Sequence, residues 1–196
     1  MRTLSAAVLF AACVLAPLGC RPGADNGSPA TNNAPPGAGA TVEVAPVTHE
    51  QLDAAVAGRK GEVVLMDFWA TWCGPCVKRF PHFVDIHKKY AGRGLVTVSV
   101  SMDPQGKEDK YDKEKVLKFL KEKGATFPNY ILLGYAKDSE KVEKRFGLEG
   151  GIPFMVLFDK NGKRVWTSEE WAEKDWPEEK YYAELERLIE GELSKK

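Results

Sequence analysis

The sequence predicts an α/β domain built on a mixed central sheet with helices on both faces and one inserted helix and strand. Three observations lead there. From Val42 onward, short β-rich apolar runs alternate with amphipathic stretches. The first runs are separated by helical stretches long enough for parallel crossovers. The last two are joined by Asp159-Lys160-Asn161-Gly162, whose residues suit a tight hairpin turn, so the sheet ends antiparallel.

Val63 to Trp69 is apolar except for Asp67, the composition of a strand buried on both faces. Cys73 to Ala91 follows as a helix, with Cys76, Phe80, Phe83, Ile86 or His87, and Tyr90 forming its apolar stripe. Pro81 is expected to bend it, because proline removes a backbone donor and crowds the preceding turn. Leu95 to Met102 is the next strand, with Val96, Val98 and Val100 on one face. A Lys/Glu/Asp-rich run from Lys107 leads into a helix over Asp112 to Lys123. Its stripe is Val116, Leu117 and Leu120, its charges make a solvated face, and Gly124 closes it. Pro128 to Leu133 is a short strand, Ser139 to Phe146 a helix and Phe154 to Phe158 a strand. Arg164 to Thr167 returns from the hairpin, and Asp175 to Leu193 is a last helix with Pro177 in its first turn. No internal repeat is present.

The 196 residues, 43% of them hydrophobic, suit one folded domain with appendages. With 28 basic against 28 acidic residues mixed along the chain, there is no basic field for nucleic acid. Arg2 precedes an apolar run, Ala6 to Leu18, of 13 residues. A membrane span needs about 20, so residues 1–19 read as a secretory signal. Leu18-Gly19-Cys20 resembles a bacterial lipoprotein signal, which implies lipidation of Cys20 and a lipid anchor in a membrane of the cell envelope. Pro17 departs from the aliphatic residue usual in such signals, and the alternative is ordinary cleavage nearby with Cys20 left as a spare thiol. Residues 20–41 are Gly, Ala, Pro, Asn, Ser or Thr apart from Cys20, Arg21 and Asp25. Such a segment cannot offset its ordering entropy and reads as a disordered tether. Residues 42–196 are the folded domain.

The cysteines are Cys13, Cys20, Cys73 and Cys76. Cys13 leaves with the signal and Cys20 is capped by lipid, which isolates one pair at two-residue spacing. Such a pair is a redox centre or half a metal site. Trp72-Cys73-Gly74-Pro75-Cys76 stands between a buried strand and a helix start, where backbone N–H groups and the helix dipole favour a thiolate. Free cysteine titrates at about 8.5, and the leading cysteine of such motifs at roughly 7 or below. Cys73 is thus the expected nucleophile and Cys76, one turn in, the buried resolving thiol. Gly74 and Pro75 turn the chain into the helix without covering Cys73. His82 and His87 give no compact ligand cluster with the pair, so no metal site is expected. Trp166, Trp171, Trp176, Tyr181 and Tyr182 are read as packing against the sheet.

Val64-Leu65-Met66-Asp67-Phe68-Trp69-Ala70-Thr71-Trp72-Cys73-Gly74-Pro75-Cys76 closely resembles the active-site strand and turn of thioredoxins. Pro81 matches the proline of their active-site helix, and Gly151-Ile152-Pro153-Phe154 followed by Asn161-Gly162 resembles their cis-proline loop and hairpin. The insertion over Asp112 to Leu133 and the export signal resemble the membrane-tethered TlpA/ResA branch. The resemblance covers the whole folded part. It implies a thioredoxin-like fold, a buried acid at Asp67 that exchanges a proton with the resolving cysteine, and a cis Pro153. It also implies that the Ile152 backbone is offered to an extended substrate and that Trp72 is a surface platform. The lysine that thioredoxins carry on the next strand is replaced by Ser99, which puts the tuning of Asp67 in question.

The resemblance further implies a monomeric thiol–disulfide oxidoreductase without a cofactor. It would exchange disulfides with exported proteins as a reductant, with a membrane thiol donor as its electron source. The competing readings are a soft-metal-binding or metal-delivery protein using the same pair, a peroxidase of the peroxiredoxin type, and a non-catalytic binding module. The paired thiols and the acid argue against the last two.

Overall fold

The computed structural model describes residues 41–104, 109–172 and 174–196. The expected secretory signal, Cys20 and the expected tether up to residue 40 lie outside the described residues, as does the start of the charged run at Lys107.

The fold opens with β1 (Ala45–Val47) and α1 (His49–Ala57), which the sequence pattern does not single out. Three residues are too few to display a period, and α1 buries only Leu52 and Val56. Its start is held by a capping box, in which the Thr48 hydroxyl accepts from the Gln51 N–H and the Gln51 side chain accepts from the Thr48 N–H at 2.9 Å. There follow β2 (Val63–Trp69), α2 (Gly74–Tyr90), β3 (Leu95–Ser101) and α3 (Lys113–Lys123). The chain continues through β4 (Asn129–Leu132), α4 (Tyr135–Phe146), β5 (Phe154–Phe158), β6 (Arg164–Thr167) and α5 (Glu178–Ser194).

The sheet order is β1-β4-β3-β2-β5-β6, parallel from β1 to β2 and antiparallel from β2 to β6. The inserted α3 and β4 thus widen the sheet from within, placing β4 between β1 and β3. Asn129 locks it there. Its amide donates to the carbonyls of Glu43, Ala125 and Phe127, and its carbonyl accepts the Ser99 hydroxyl at 2.7 Å. A buried side chain so fully satisfied favours one register over its neighbours.

Side chains of β2 alternate between two layers, as a pleated strand requires. Phe68 meets Phe146 of α4 at 5.5 Å, whereas Trp69 meets Phe80 of α2 at 4.9 Å and Phe119 of α3 at 4.6 Å. Asp67, two residues before Trp69, shares its face. α5 lies along α2, with Tyr182 at Arg79, Glu186 at Lys89 and Glu190 at Tyr90 and Arg93.

The elements differ from expectation mainly at their ends. α4 begins at Tyr135, ahead of Ser139, across a non-helical Asp138 (φ −115°, ψ 19°) that interrupts the periodic signal. Pro177 has ψ 149° and precedes α5 instead of sitting in its first turn. α2 continues as one helix through Pro81. On α3, Phe119 packs on Trp69 and Phe80 although it lies off the expected stripe, and Leu117 is only partly buried.

Candidate active site

The end of β2 creates the site. After Trp69 the chain turns through Ala70 to Trp72, with the Cys73 N–H bonded to the Ala70 carbonyl at 3.1 Å. Cys73 is extended (φ −87°, ψ 98°) and is the N-cap of α2. Pro75 falls in the first turn, where its missing N–H would have had no helical partner anyway. Cys73 and Cys76 form a disulfide with Cα atoms 5.2 Å apart. The Cys76 N–H points at Cys73 Sγ at 3.3 Å. A donor and the positive end of a 17-residue helix therefore meet at this sulfur. Cys73 is 7% exposed and Cys76 2%, while Trp72 beside them is 53% exposed. Both cysteines are thus buried, Cys73 slightly less than Cys76.

Two further loops reach the same end of the sheet. β5 runs antiparallel to β2 with Phe154 opposite Phe68, so Ile152 and Pro153 lie just past the point where β2 gives way to the cysteine loop. The Ile152–Pro153 bond is cis, and Gly151 before it has φ +96°, which favours glycine. Glu169 holds this loop by accepting the N–H groups of Glu149 at 3.1 Å and Gly150 at 2.6 Å. From the end of β3, Asp103 accepts the Thr71 N–H at 3.0 Å, the Thr71 hydroxyl and the Ser101 hydroxyl at 2.7 Å. Neither Asp103 nor Glu169 stands out in the sequence, because each acts on a segment distant along the chain.

Asp67 is 7% exposed, and burial pushes its carboxyl up to about 7. It stands opposite Ser99 on β3 and Met155 on β5. Ser99 gives its hydroxyl to Asn129, so β3 supplies no charge here. The charge comes from α2: Arg79 acts on Asp67 and opposes the effect of burial. Arg79 donates from Nε to the Tyr182 hydroxyl at 3.3 Å, and its guanidinium lies 5.0 Å from the centre of the Tyr181 ring. Burial raises the Tyr181 phenol to about 12, which keeps it neutral.

The two histidines have other tasks. His82 stacks on Tyr182 at 4.2 Å and meets Glu178 at 3.0 Å. His87 is buried with Nδ1 2.8 Å from the Thr97 hydroxyl, and desolvation lowers its pKa. The C-terminal aromatics form a ladder from buried Trp166 through Trp171 to Trp176 and Tyr181, extending the expected packing beyond the sheet. Among the described residues, no three His, Cys, Asp or Glu side chains group as a metal site.

The chain is 31% identical over 106 residues to the thiol-disulfide oxidoreductase ResA of Bacillus thuringiensis, covering 54% of each chain. It is 34% identical over 115 residues to the ResA of Oceanobacillus iheyensis, covering 58% of this chain and 53% of that one. The matched region thus spans about half the length of these curated relatives. A solved structure from Chlorobium tepidum, described as a thiol:disulfide interchange protein DsbE, matches with a TM-score of 0.53 at 27% identity. That match covers 71% of this chain and 85% of the other. The sheet order agrees with the expected thioredoxin-like fold, and the Redoxin family model matches residues 31–185. The chain therefore belongs to the redoxin family of the thioredoxin superfamily.

Proposed function

We propose that this protein is a thiol–disulfide oxidoreductase that reduces disulfides of exported proteins. The observation that carries the proposal is the Cys73–Cys76 disulfide at the start of α2, with the Cys73 sulfur facing the Cys76 N–H of that helix. In the reduced protein the Cys73 thiolate attacks one sulfur of a substrate disulfide. That bond breaks, the first substrate sulfur leaves and takes up a proton, and a mixed disulfide remains. Cys76 then passes its proton to Asp67 and attacks Cys73 Sγ. The second substrate thiolate is expelled, and the Cys73–Cys76 bond forms as two electrons pass to the substrate. Trp72, the Ile152 backbone and Pro153 form the ledge on which an extended substrate segment adds as a strand.

Re-reduction requires a membrane thiol donor. A secretory signal over residues 1–19, lipidation of Cys20 and a tether to residue 41 would together hold the domain at the cell envelope, about 25 Å from its anchor for a flexible coil. Agreement with relatives named thiol-disulfide oxidoreductase supports the reaction class, and resemblance to the tethered branch supports the reductive direction.

The test is turnover of a disulfide-bonded exported protein with a dithiol donor, comparing the wild type with Cys73→Ser. Activity is expected in the wild type and none in the variant; equal rates overturn the assignment. Equilibration with a glutathione buffer tests direction. A potential well below about −200 mV supports a reductant, and one near about −120 mV overturns it.

A further inference from the structure

Given the function proposed above, on which this rests, we propose that Glu169 is a positioning residue that keeps the Ile152 backbone ready for substrate and so makes the protein selective for disulfides in extended protein segments. The stretch leading into Ile152 contains Gly147, Gly150 and Gly151, and both Gly147 (φ +84°) and Gly151 (φ +96°) are left-handed. A run so rich in glycine gains much backbone freedom once released, and a substrate strand that had to order it again would bind more weakly. The Glu169 carboxylate prevents that release. Its Oε1 accepts the N–H of Glu149 at 3.1 Å and that of Gly150 at 2.6 Å, two charge-assisted bonds on the residues just before Gly151 and Ile152.

The loop is shaped to receive this carboxylate. A Cβ on Gly150 would stand 3.1 Å from Glu169 Oε1, tighter than an ordinary contact, so a larger residue there would push the carboxylate back. Glu169 itself belongs to a short 3-10 helix, Ser168–Trp171, into which β6 runs. Both ends of that helix are fixed. At its start the Ser168 hydroxyl accepts the Met155 N–H at 3.0 Å, carrying the grip on β5 past the last paired residues, Val156 and Thr167. The Thr167 N–H donates to the Glu170 carboxylate at 2.9 Å. At its end the Trp171 ring lies 4.7 Å from buried Trp166 of β6 and 5.4 Å from Tyr181 of α5. Aromatic packing on two elements and a hydroxyl bonded to a third give the Glu169 side chain a fixed origin.

Glu169 acts through the backbone, from the Gly150 N–H to Ile152 two residues on. It takes no part in the exchange of sulfur bonds at Cys73, so it governs how a substrate is received and not how its disulfide is broken. A disulfide small enough to reach Cys73 without adding a strand to the ledge gains nothing from it. A disulfide carried by an extended protein segment does.

The experiment measures amide hydrogen exchange in the oxidised protein by NMR, together with kcat and KM for disulfide reduction, in the wild type, Glu169→Ala, Glu169→Gln and Glu169→Asp. Two substrates are compared, a disulfide-bonded exported protein and a small aromatic disulfide. Glu169→Ala is expected to speed exchange at Glu149 and Gly150 about fivefold and to leave Val156, inside the sheet, unchanged. KM for the protein disulfide rises about fivefold, kcat stays within about twofold, and the small disulfide is reduced as before. Glu169→Gln restores both readouts, because one amide oxygen can accept both N–H groups as Oε1 does. Should Glu169→Ala fail to fold, Glu169→Asp decides, because its carboxylate is kept but falls one methylene short of the loop. Unchanged exchange overturns the proposal, and so does an equal loss with both substrates, the mark of a merely structural role. Faster exchange in the variant of a protein whose wild type reduces neither substrate upholds the restraint and overturns the function proposed above. A working reductase whose KM ignores Glu169 overturns the positioning role alone.

Discussion

Asp103 grips Thr71 by both its backbone N–H, at 3.0 Å, and its hydroxyl, joining the end of β3 to the loop that enters Cys73. The two residues are 32 positions apart in sequence. Asp103 is buried and also accepts the Ser101 hydroxyl, so its carboxylate has three donors. Asp103→Ala leaves those donors without their acceptor and is expected to cost about 2 kcal/mol of stability. Urea denaturation of the oxidised protein measures this. A change under about 0.5 kcal/mol, as at an ordinary surface position, would contradict the assignment.

Stability depends on pH through Asp67. The acid titrates near 3.8 in the unfolded chain and at about 7 in the fold, so between those values the native state holds a proton that the unfolded state has released. Stability contributed by this group is therefore lost as pH rises through that window, by an amount on the order of 4 kcal/mol at full ionisation. Asp67→Asn is expected to stabilise the oxidised protein by roughly 3 kcal/mol at pH 8 and by little at pH 4. Denaturation at both pH values checks it, and an equal effect at both would show that ionisation is not the cause. The same variant is expected to slow resolution of the mixed disulfide.

Cys76→Ser removes the resolving thiol and keeps the attacking one. Incubated with a disulfide-bonded substrate, it should accumulate a mixed disulfide on Cys73, visible as a mass increase that a reductant reverses. Substrate found on any other residue would reassign the nucleophile.

Glu169 restrains the loop before Ile152 without touching the cysteines. Glu169→Ala is expected to raise KM for a protein disulfide severalfold and to leave kcat within about twofold, the pattern of lost substrate positioning. Glu169→Gln keeps one acceptor oxygen and should recover most of the loss. An unchanged KM would show that the loop needs no such restraint.

Trp72 is 53% exposed, so Trp72→Ala should change stability by no more than about 0.5 kcal/mol. Its effect belongs to binding: KM for a protein disulfide rises, while reduction of a small aromatic disulfide is nearly unaffected. Loss of both activities would point to a direct effect on Cys73.

The strands Val63–Trp69 and Phe154–Phe158, the hairpin after them and the cysteine turn are all written locally. Each rests on an apolar run, a set of turn residues or a helix start that neighbouring positions define. β1 leaves no such mark because three residues carry no period, and α1 because it buries so little. The sequence by itself determined the redox pair, the order of most elements and the acid at Asp67. Tertiary structure alone decided that β4 enters between β1 and β3, that Asp103 and Glu169 hold the two loops, and that Asp67 is buried opposite Ser99, whose hydroxyl is given to Asn129. These outcomes depend on groups brought together from distant parts of the chain. Local propensity and spacing carry no record of such meetings, whereas burial and Coulomb interaction act on whatever the packed fold brings within reach.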